Sequence, residues 1–297
     1  MTDRRQISGF INVDKPLGMT SHTVVARIRR GLGIKKVGHA GTLDPLATGV
    51  LVVCLGHATR LSEYAMSKTK VYRAHVHLGA QTTTYDAEGE ITATGDIAHI
   101  TADAIRAALP QFTGQIAQLP PLYSAVKQGG RKLYEVARAG GSVERKPRRV
   151  VIHALDLVSY EAPVAALEIT CGPGTYIRSL AHDLGDVLGC GAYLAGLVRT
   201  RSGTFHIDEA VTLEAVLDSD DWTVHLLPMD TPLAELPALH LDDEDVDHVL
   251  HGRVPQHLAK PDPEAAGQAR AYDPTGTFVA LLRADGETWR PHKVFPN

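Results

Sequence analysis

Apolar positions change period several times along the chain, and each change predicts an element. Phe10–Val13 reads as a short strand, a KPLG turn follows, and Val24, Val25, Ile28 and Leu32 then recur at helical spacing. Thr20 or Ser21 can cap that helix and Gly31 or Gly33 can end it, while Arg27, Arg29 and Arg30 fall on its other faces. The run VLVVCLG is apolar without interruption, as a strand buried on both faces requires, and ATRLSEYAMS suggests a helix after it. In KVYRAHVHLG the period becomes two: Tyr72, Ala74, Val76 and Leu78 share one face, and Val71, Arg73, His75 and His77 the other.

TTTYDAEGEITATGD then reads as a polar, hairpin-like connection, and TADAIRAALPQFTG as a helix started by Thr101 and ended before Pro110. Two strands, VVIHALDLVSY and AALEITC, precede a glycine-rich turn into a helix whose first turns carry Tyr176 and Arg178. AYLAGLVRTRSGTF adds an apolar run ending in two arginines. Strands and helices alternate without regular βαβ spacing, which predicts an α+β fold rather than a doubly wound sheet. From about residue 228 the character shifts to a short helix with an acidic start and a β-hairpin around 273–276, followed by a second turn at 285–286 and a last strand. The expected division is therefore residues 1–228 and a small β-rich unit over 229–297.

Bulk properties narrow the class. At 297 residues and 44% hydrophobic the chain can bury real cores. Its start lacks the apolar run of a signal peptide and no later stretch is long enough to span a bilayer, so a cytoplasmic location without membrane contact is expected. Cys54, Cys171 and Cys190 are odd in number and form no CxxC pair, and the histidines lack ligand-type spacing; neither a disulfide framework nor a metal site is indicated.

The net charge of -4 hides an asymmetry: residues 202–252 hold thirteen Asp/Glu and no Lys/Arg, whereas residues 1–201 hold 24 Lys/Arg against 16 Asp/Glu. The first two-thirds is the part suited to a polyanion. Within it, residues 118–150 interleave Lys127, Arg131, Lys132, Arg138, Arg145, Lys146, Arg148 and Arg149 with Tyr123 and Tyr134 on a Gly/Pro-broken segment. Cations for phosphates and rings for exposed bases are what looped or single-stranded nucleic acid needs; a solvated surface excursion reads equally well on this segment alone.

The stretch GHAGTLDPLATG sets Asp44 among Gly38, Gly41, Gly49 and Pro45, in an irregular loop that must lie at a surface or line a cavity. Taken alone, Asp before Pro reads as a turn starter. The surrounding blocks change that reading. GFINVDKPLGMTSHTVV, GHAGTLDPLATGVLVVCLGHATRL, KVYRAHVHLG, PPLYSAVKQGGRKLYEVARAG, GTYIRSLAHDLG and LVRTRSG, in this order over roughly residues 8–205, closely resemble the bacterial tRNA pseudouridine synthase B family.

The resemblance implies the pseudouridine-synthase fold, a mixed sheet with flanking helices, with an inserted thumb near 118–150 and a C-terminal PUA-like RNA-binding domain. It implies isomerisation of uridine to pseudouridine at position 55 in the T arm of tRNA, without cofactor or metal. Asp44 matches the catalytic aspartate, Arg178 the arginine that pairs with it, and Tyr72 the tyrosine whose ring can stack on an extruded uracil and whose hydroxyl can assist proton loss from C5. Leu197 corresponds to an apolar pocket residue and His39 to a histidine that fills the space vacated by the flipped base. Lys15 and Pro16 would shape the floor of the site, and Arg131, Lys132 and Arg148 of the thumb would contact phosphates.

Attack at C1′, attack at the ring and removal of a ribose proton remain open for Asp44 at this point. A noncatalytic tRNA-binding or RNA-folding protein on the same scaffold would not require the Asp44, Tyr72 and Arg178 trio. An aspartyl hydrolase would call for further carboxylates close to the nucleophile, which TLDPL lacks. The bacterial-type thumb weighs against dependence on a guide RNA, and a monomer is the default expectation.

Overall fold

A computed structural model describes residues 7–122, 145–261 and 267–296, together with the backbone of 127–128 and 131–132. The chain opens with β1 (Gly9–Lys15) and α1 (Ser21–Leu32). Thr20 caps α1 by accepting from the Thr23 amide at 3.0 Å, and Gly33 ends it at φ 67°, a left-handed conformation that favours glycine. β2 (Val37–His39) and β3 (Ala47–Leu55) bracket the Asp44 loop, so part of what the glycines suggested was irregular chain is a short strand paired with β3.

Residues 56–66 are not one α-helix. A 3-10 turn, Gly56–Leu61, precedes α2 (Ser62–Met66). Ala58 and Leu61, both buried, lie three residues apart, the spacing that a three-residue turn stacks on one side.

β4 (Lys70–Leu78) alternates as its sequence predicts, with Tyr72, Ala74, Val76 and Leu78 buried. The polar connection is a hairpin of β5 (Ala80–Thr82) and β6 (Ile91–Thr94). α3 (Ala102–Ala108) is capped by Thr101 and continues into a 3-10 turn, Leu109–Phe112, with Pro110 near its start where no donor is missed. β7 (Gly114–Gln118) leads to the excursion, of which the two-residue strands β8 (Lys127–Gln128) and β9 (Arg131–Lys132) pair with each other.

β10 (Arg148–Glu161), β11 (Val164–Cys171), α4 (Ile177–Val187) and β12 (Ala192–Ser202) complete the main layer, with β13 (Phe205–His206) and β14 (Val211–Thr212) at its margins. The strand order is β14-β1-β3-β12-β4-β11-β10-β7, with β2 paired to β3 and β13 to β12. The β1–β14 and β3–β12 pairs are parallel and the others antiparallel, so the sheet is mixed. This is the expected α+β architecture.

β3 explains where the core sits. Leu51, Val53 and Leu55 point into one cluster with α1, α3 and α4, whereas Val50, Val52 and Cys54 point into a second with Phe10, Phe205, Phe278, Leu281 and Phe295. Each fully buried aliphatic contributes about 1.5–3 kcal/mol relative to exposure, and an unbroken apolar run is the only sequence that fills both faces.

Through Phe278, Leu281 and Phe295 the second cluster reaches the C-terminal unit, a four-stranded sheet of β15 (Ala238–His240), β16 (Gln268–Tyr272), β17 (Phe278–Asp285) and β18 (Thr288–Val294), with a helix over Asp243–Leu250 between its first two strands and a core of its own around Leu241, Val249, Leu282 and Trp289. Arg60 lies 4.9 Å over the Phe295 ring and donates to the Val294 carbonyl at 2.6 Å, tying the two sheets together. Among the described residues no helix is long and apolar enough to cross a membrane. The three cysteines are free and buried; burial pushes Cys54 up to about 12 and Cys171 to about 11, as inert core thiols.

Candidate active site

The parallel pairing of β3 with β12 sets the site at the middle of the main sheet. Ala47, Leu197 and Ala74 form one row across β3, β12 and β4; Gly49, Arg199 and Tyr72 form the next. The Asp44 loop enters β3 directly above these rows. It is held from several sides: Ser21 Oγ donates to the Leu43 carbonyl at 3.0 Å and accepts from the Leu43 amide at 2.8 Å, and the Gly18 amide donates to Pro45 O at 2.9 Å. Lys15, fully buried, donates to the carbonyls of Pro16 (2.8 Å), Met19 (2.6 Å) and Pro45 (3.4 Å), which joins the KPLG turn to the Asp44 loop.

Asp44 is about one-third exposed, with a side-chain accessibility of 35%, and its Oδ2 lies 3.0 Å from Arg178 Nε. Arg178, on the first turn of α4, is buried; its Nη1 lies 3.2 Å from Asp86 Oδ2 and 3.4 Å from the Thr84 carbonyl. One guanidinium therefore spans two carboxylates. Burial lifts the Asp44 carboxyl above the ordinary carboxylate value, the Asp86 charge adds to the lift, and Arg178 and Lys15 oppose it. Asp86 is buried in turn, with Oδ1 accepting from Thr84 Oγ1 and from the Glu88 amide at 3.1 Å.

The start of α4 is fixed by the end of β7. Gln118 donates to Tyr176 O at 2.9 Å and accepts from the Tyr176 amide at 2.8 Å, and Ser179 Oγ donates to Leu119 O at 2.7 Å. The excursion's root is thus bonded to the turn that presents Arg178.

Tyr72 and Leu197 are each 8% exposed and belong to the same core cluster as Leu43 and Leu46 of the loop. Burial raises the Tyr72 hydroxyl above its ordinary pKa, and the charge of Arg199, its cross-strand partner, opposes that rise. His39 closes β2 with a buried Nδ1 that has no hydrogen-bond partner among the described residues; burial and the charges of Arg199 and His22 hold it below the ordinary imidazole value. Burial likewise lowers Lys15 to about 8.

The structure brings Asp44, Arg178, Tyr72, Leu197, His39 and Lys15 into one region. It leaves Arg148 exposed at the start of β10, opposite Gln118. Arg131 and Lys132 lie in β9, and their side chains, like most of the expected thumb with Tyr123 and Tyr134, lie outside the described residues. Sequence reasoning missed Asp86, which lies within the polar TTTYDAEGE stretch, and Arg199, which reads as the end of an apolar run although it shares a strand face with Leu197.

Among the described residues two groups bring potential metal-ligating atoms together: His182, Asp183 and Asp186, and Asp242, Asp245 and His257. In the first, Asp186 accepts from Gln81 at 2.5 Å; in the second, Asp245 accepts from the amides of Gln256 and His257. Neither includes Asp44 or Arg178.

A reachable carboxylate seated on a buried arginine, with the apolar Tyr72 and Leu197 nearby at the centre of a mixed sheet, gives this α+β scaffold a candidate carboxylate-centred site. Known proteins supply the family. Residues 29–177 match the TruB family pseudouridylate synthase N-terminal domain, residues 178–234 a tRNA pseudouridylate synthase B C-terminal domain and residues 236–296 the tRNA pseudouridine synthase II C-terminal domain. The chain is 45% identical over 293 residues to tRNA pseudouridine synthase B of Dehalococcoides mccartyi, covering 97% of each protein. It is 48% identical over 253 residues to that of Symbiobacterium thermophilum, covering 84% of each. Among solved structures it resembles a chain of a Cbf5-Nop10-Gar1 complex, with TM-score 0.73 and 29% identity over 99% of this chain and 86% of that one. The chain belongs to the TruB family of pseudouridylate synthases.

Proposed function

We propose that the protein isomerises uridine to pseudouridine at position 55 of tRNA, acting on the T stem-loop without cofactor, metal or guide RNA, as a cytoplasmic monomer. The observation that carries this reading is the Asp44–Arg178 pair at 3.0 Å, in which the carboxylate stays reachable while the arginine is buried. The names of the relatives supply the substrate class.

In this reading the target nucleoside is flipped out of the RNA loop, at a cost of a few kcal/mol in stacking. Asp44 acts on it as nucleophile or base, held in one orientation by Arg178. The flipped uracil rests against Tyr72 and Leu197, and the Tyr72 oxygen accepts the C5 proton after the base has turned and rejoined the sugar through C5. His39 fills the vacated space in the RNA, and Arg131, Lys132 and Arg148 engage phosphates. Residues 1–228 form the catalytic unit and 229–297 an RNA-binding unit, a division supported by the four-stranded sheet that begins at Ala238.

The test is a T-arm stem-loop carrying tritium at uridine C5, incubated with purified protein in the absence of added metal and guide RNA. Tritium release to water by wild type, abolished in Asp44→Asn while RNA binding persists, is the expected result. Undiminished release from Asp44→Asn removes Asp44 from the reaction; no release by wild type with RNA binding intact leaves a binding protein.

A further inference from the structure

Arg199 is 1% exposed, and the groups it bonds are neutral. Nε donates to Val50 O at 2.7 Å, Nη2 to Gly41 O at 3.0 Å and Nη1 to Thr42 O at 3.4 Å. Among the described residues no carboxylate pairs with it. A buried cation bonded only to dipoles is costly in a core, where an aliphatic side chain could have stood with the carbonyls left to other donors. The position is also built around it: a Cβ on Gly41 would sit 3.4 Å from Nη1, and one on Gly49 would sit 2.3 Å from the Arg199 carbonyl.

The geometry joins two parts of the reaction centre. Gly41 and Thr42 stand just before Asp44 in the loop, and Tyr72 is Arg199's direct partner across β12 and β4. A flat guanidinium can reach the loop carbonyls and the tyrosine oxygen at once, which a lysine ammonium at the end of a flexible chain cannot do in the same plane.

We propose that Arg199 is a positioning residue for the isomerisation, holding the Asp44 loop through the Gly41 and Thr42 carbonyls and, with the same guanidinium, stabilising the phenolate of Tyr72. This rests on the reading of Tyr72 as the acceptor of the C5 proton. In that step Tyr72 acts in its minor ionised form, its own proton having gone to water; the C5–H bond of the rejoined base breaks and its proton goes to the phenolate oxygen. The bonding pair closes the C5–C6 double bond, the C6–N1 pair returns to N1, and N1 takes a proton from water. The groups that face Tyr72 are Arg199 from β12, Cys171 from β11 and Asp44 from the loop, with Ile169 opposite on β11. Arg199 is the cation among them. Its positive charge attracts the phenolate far more than the neutral phenol, so the ionised form gains more.

The experiment compares wild type, Arg199→Met and Arg199→Lys in single-turnover isomerisation of a T-arm stem-loop carrying protium or deuterium at uridine C5, with the Tyr72 ring carbon titrated by NMR. Both variants are expected to be slower, to show a larger deuterium isotope effect than wild type, and to titrate Tyr72 higher than in wild type. Folded variants that lose rate equally for both isotopes, with Tyr72 titrating as in wild type, overturn the proposal and leave Arg199 a support of the fold. Should the Arg199 variants not fold, the guanidinium nitrogen signals of Arg199 in Tyr72→Phe decide instead: a shift from wild type supports the link and unchanged signals overturn it. A Tyr72→Phe protein that turns over normally removes the proton-acceptor reading by itself, whereas unchanged Tyr72 titration in the Arg199 variants removes the positioning role of Arg199 by itself.

Discussion

Asp44 and Asp86 share one guanidinium: Arg178 lies 3.0 Å from the first through Nε and 3.2 Å from the second through Nη1. The two carboxylates differ in access. Asp86 is closed off, with a side-chain accessibility of 2% against 35% for Asp44. One carboxylate therefore anchors the arginine, and the other stays reachable from solvent.

Asp86→Ala should remove the anchor without touching substrate. Breaking a buried pair by deleting one partner costs about 3–5 kcal/mol. Denaturant unfolding should report a loss of this order, and single-turnover isomerisation should slow while stem-loop affinity holds. Wild-type stability and rate in this variant would mean that Arg178 keeps its position without Asp86.

The pH dependence of Asp44 has a definite sign. Its folded pKa is raised above 3.8, chiefly by burial and further by the Asp86 charge, so the ionised form is lost as pH falls through a value above the ordinary carboxylate range. The acid limb of the single-turnover rate should accordingly lie above 3.8. Arg178 opposes the rise, and the Asp44 carboxyl carbon in Arg178→Met should titrate higher still by NMR.

Lys15 gives the opposite kind of dependence. Its folded pKa is about 8 against an unfolded value near 10.5, so between those pH values the unfolded chain holds a proton that the folded chain has lost. Stability then rises with pH across this window, by at most about 1.4 kcal/mol per unit. The difference in unfolding free energy between wild type and Lys15→Met isolates this group from the other titrating residues; it should move in favour of wild type from pH 8 to 10.5. A flat difference would show Lys15 to titrate near its free value.

Removal of residues 125–147 should weaken RNA binding more than chemistry. Arg148 and Gln118 are register partners in the sheet, so the excursion leaves and returns at one place and a short linker can close it. The Gln118 bonds to Tyr176 that support Arg178 lie outside the deletion. The dissociation constant for the stem-loop should rise, and the salt slope of binding should fall by about one unit for each phosphate no longer neutralised, with the rate at saturation changed less. Equal loss in both would place the segment in the chemistry itself.

Much of the fold is legible in residue order because local physics suffices for it. Thr20 at the start of α1, Gly33 at its end, the uninterrupted run of β3 and the alternation of β4 each encode a conformation within a few residues. The blocks around Asp44, Tyr72 and Arg178 likewise carry the family and its reaction by themselves, since those motifs stand intact in the chain.

What the sequence could not determine is which distant residues complete the site. Asp86 reads as a turn residue in a polar hairpin until α4 brings Arg178 to it, 92 positions away. Arg199 reads as the charged end of a strand until the parallel β3–β12 pairing sets it beneath the Asp44 loop and opposite Tyr72. Strand order and register decide those meetings. They are set by the packing of whole sheet faces against two hydrophobic clusters, to which no single segment holds the key.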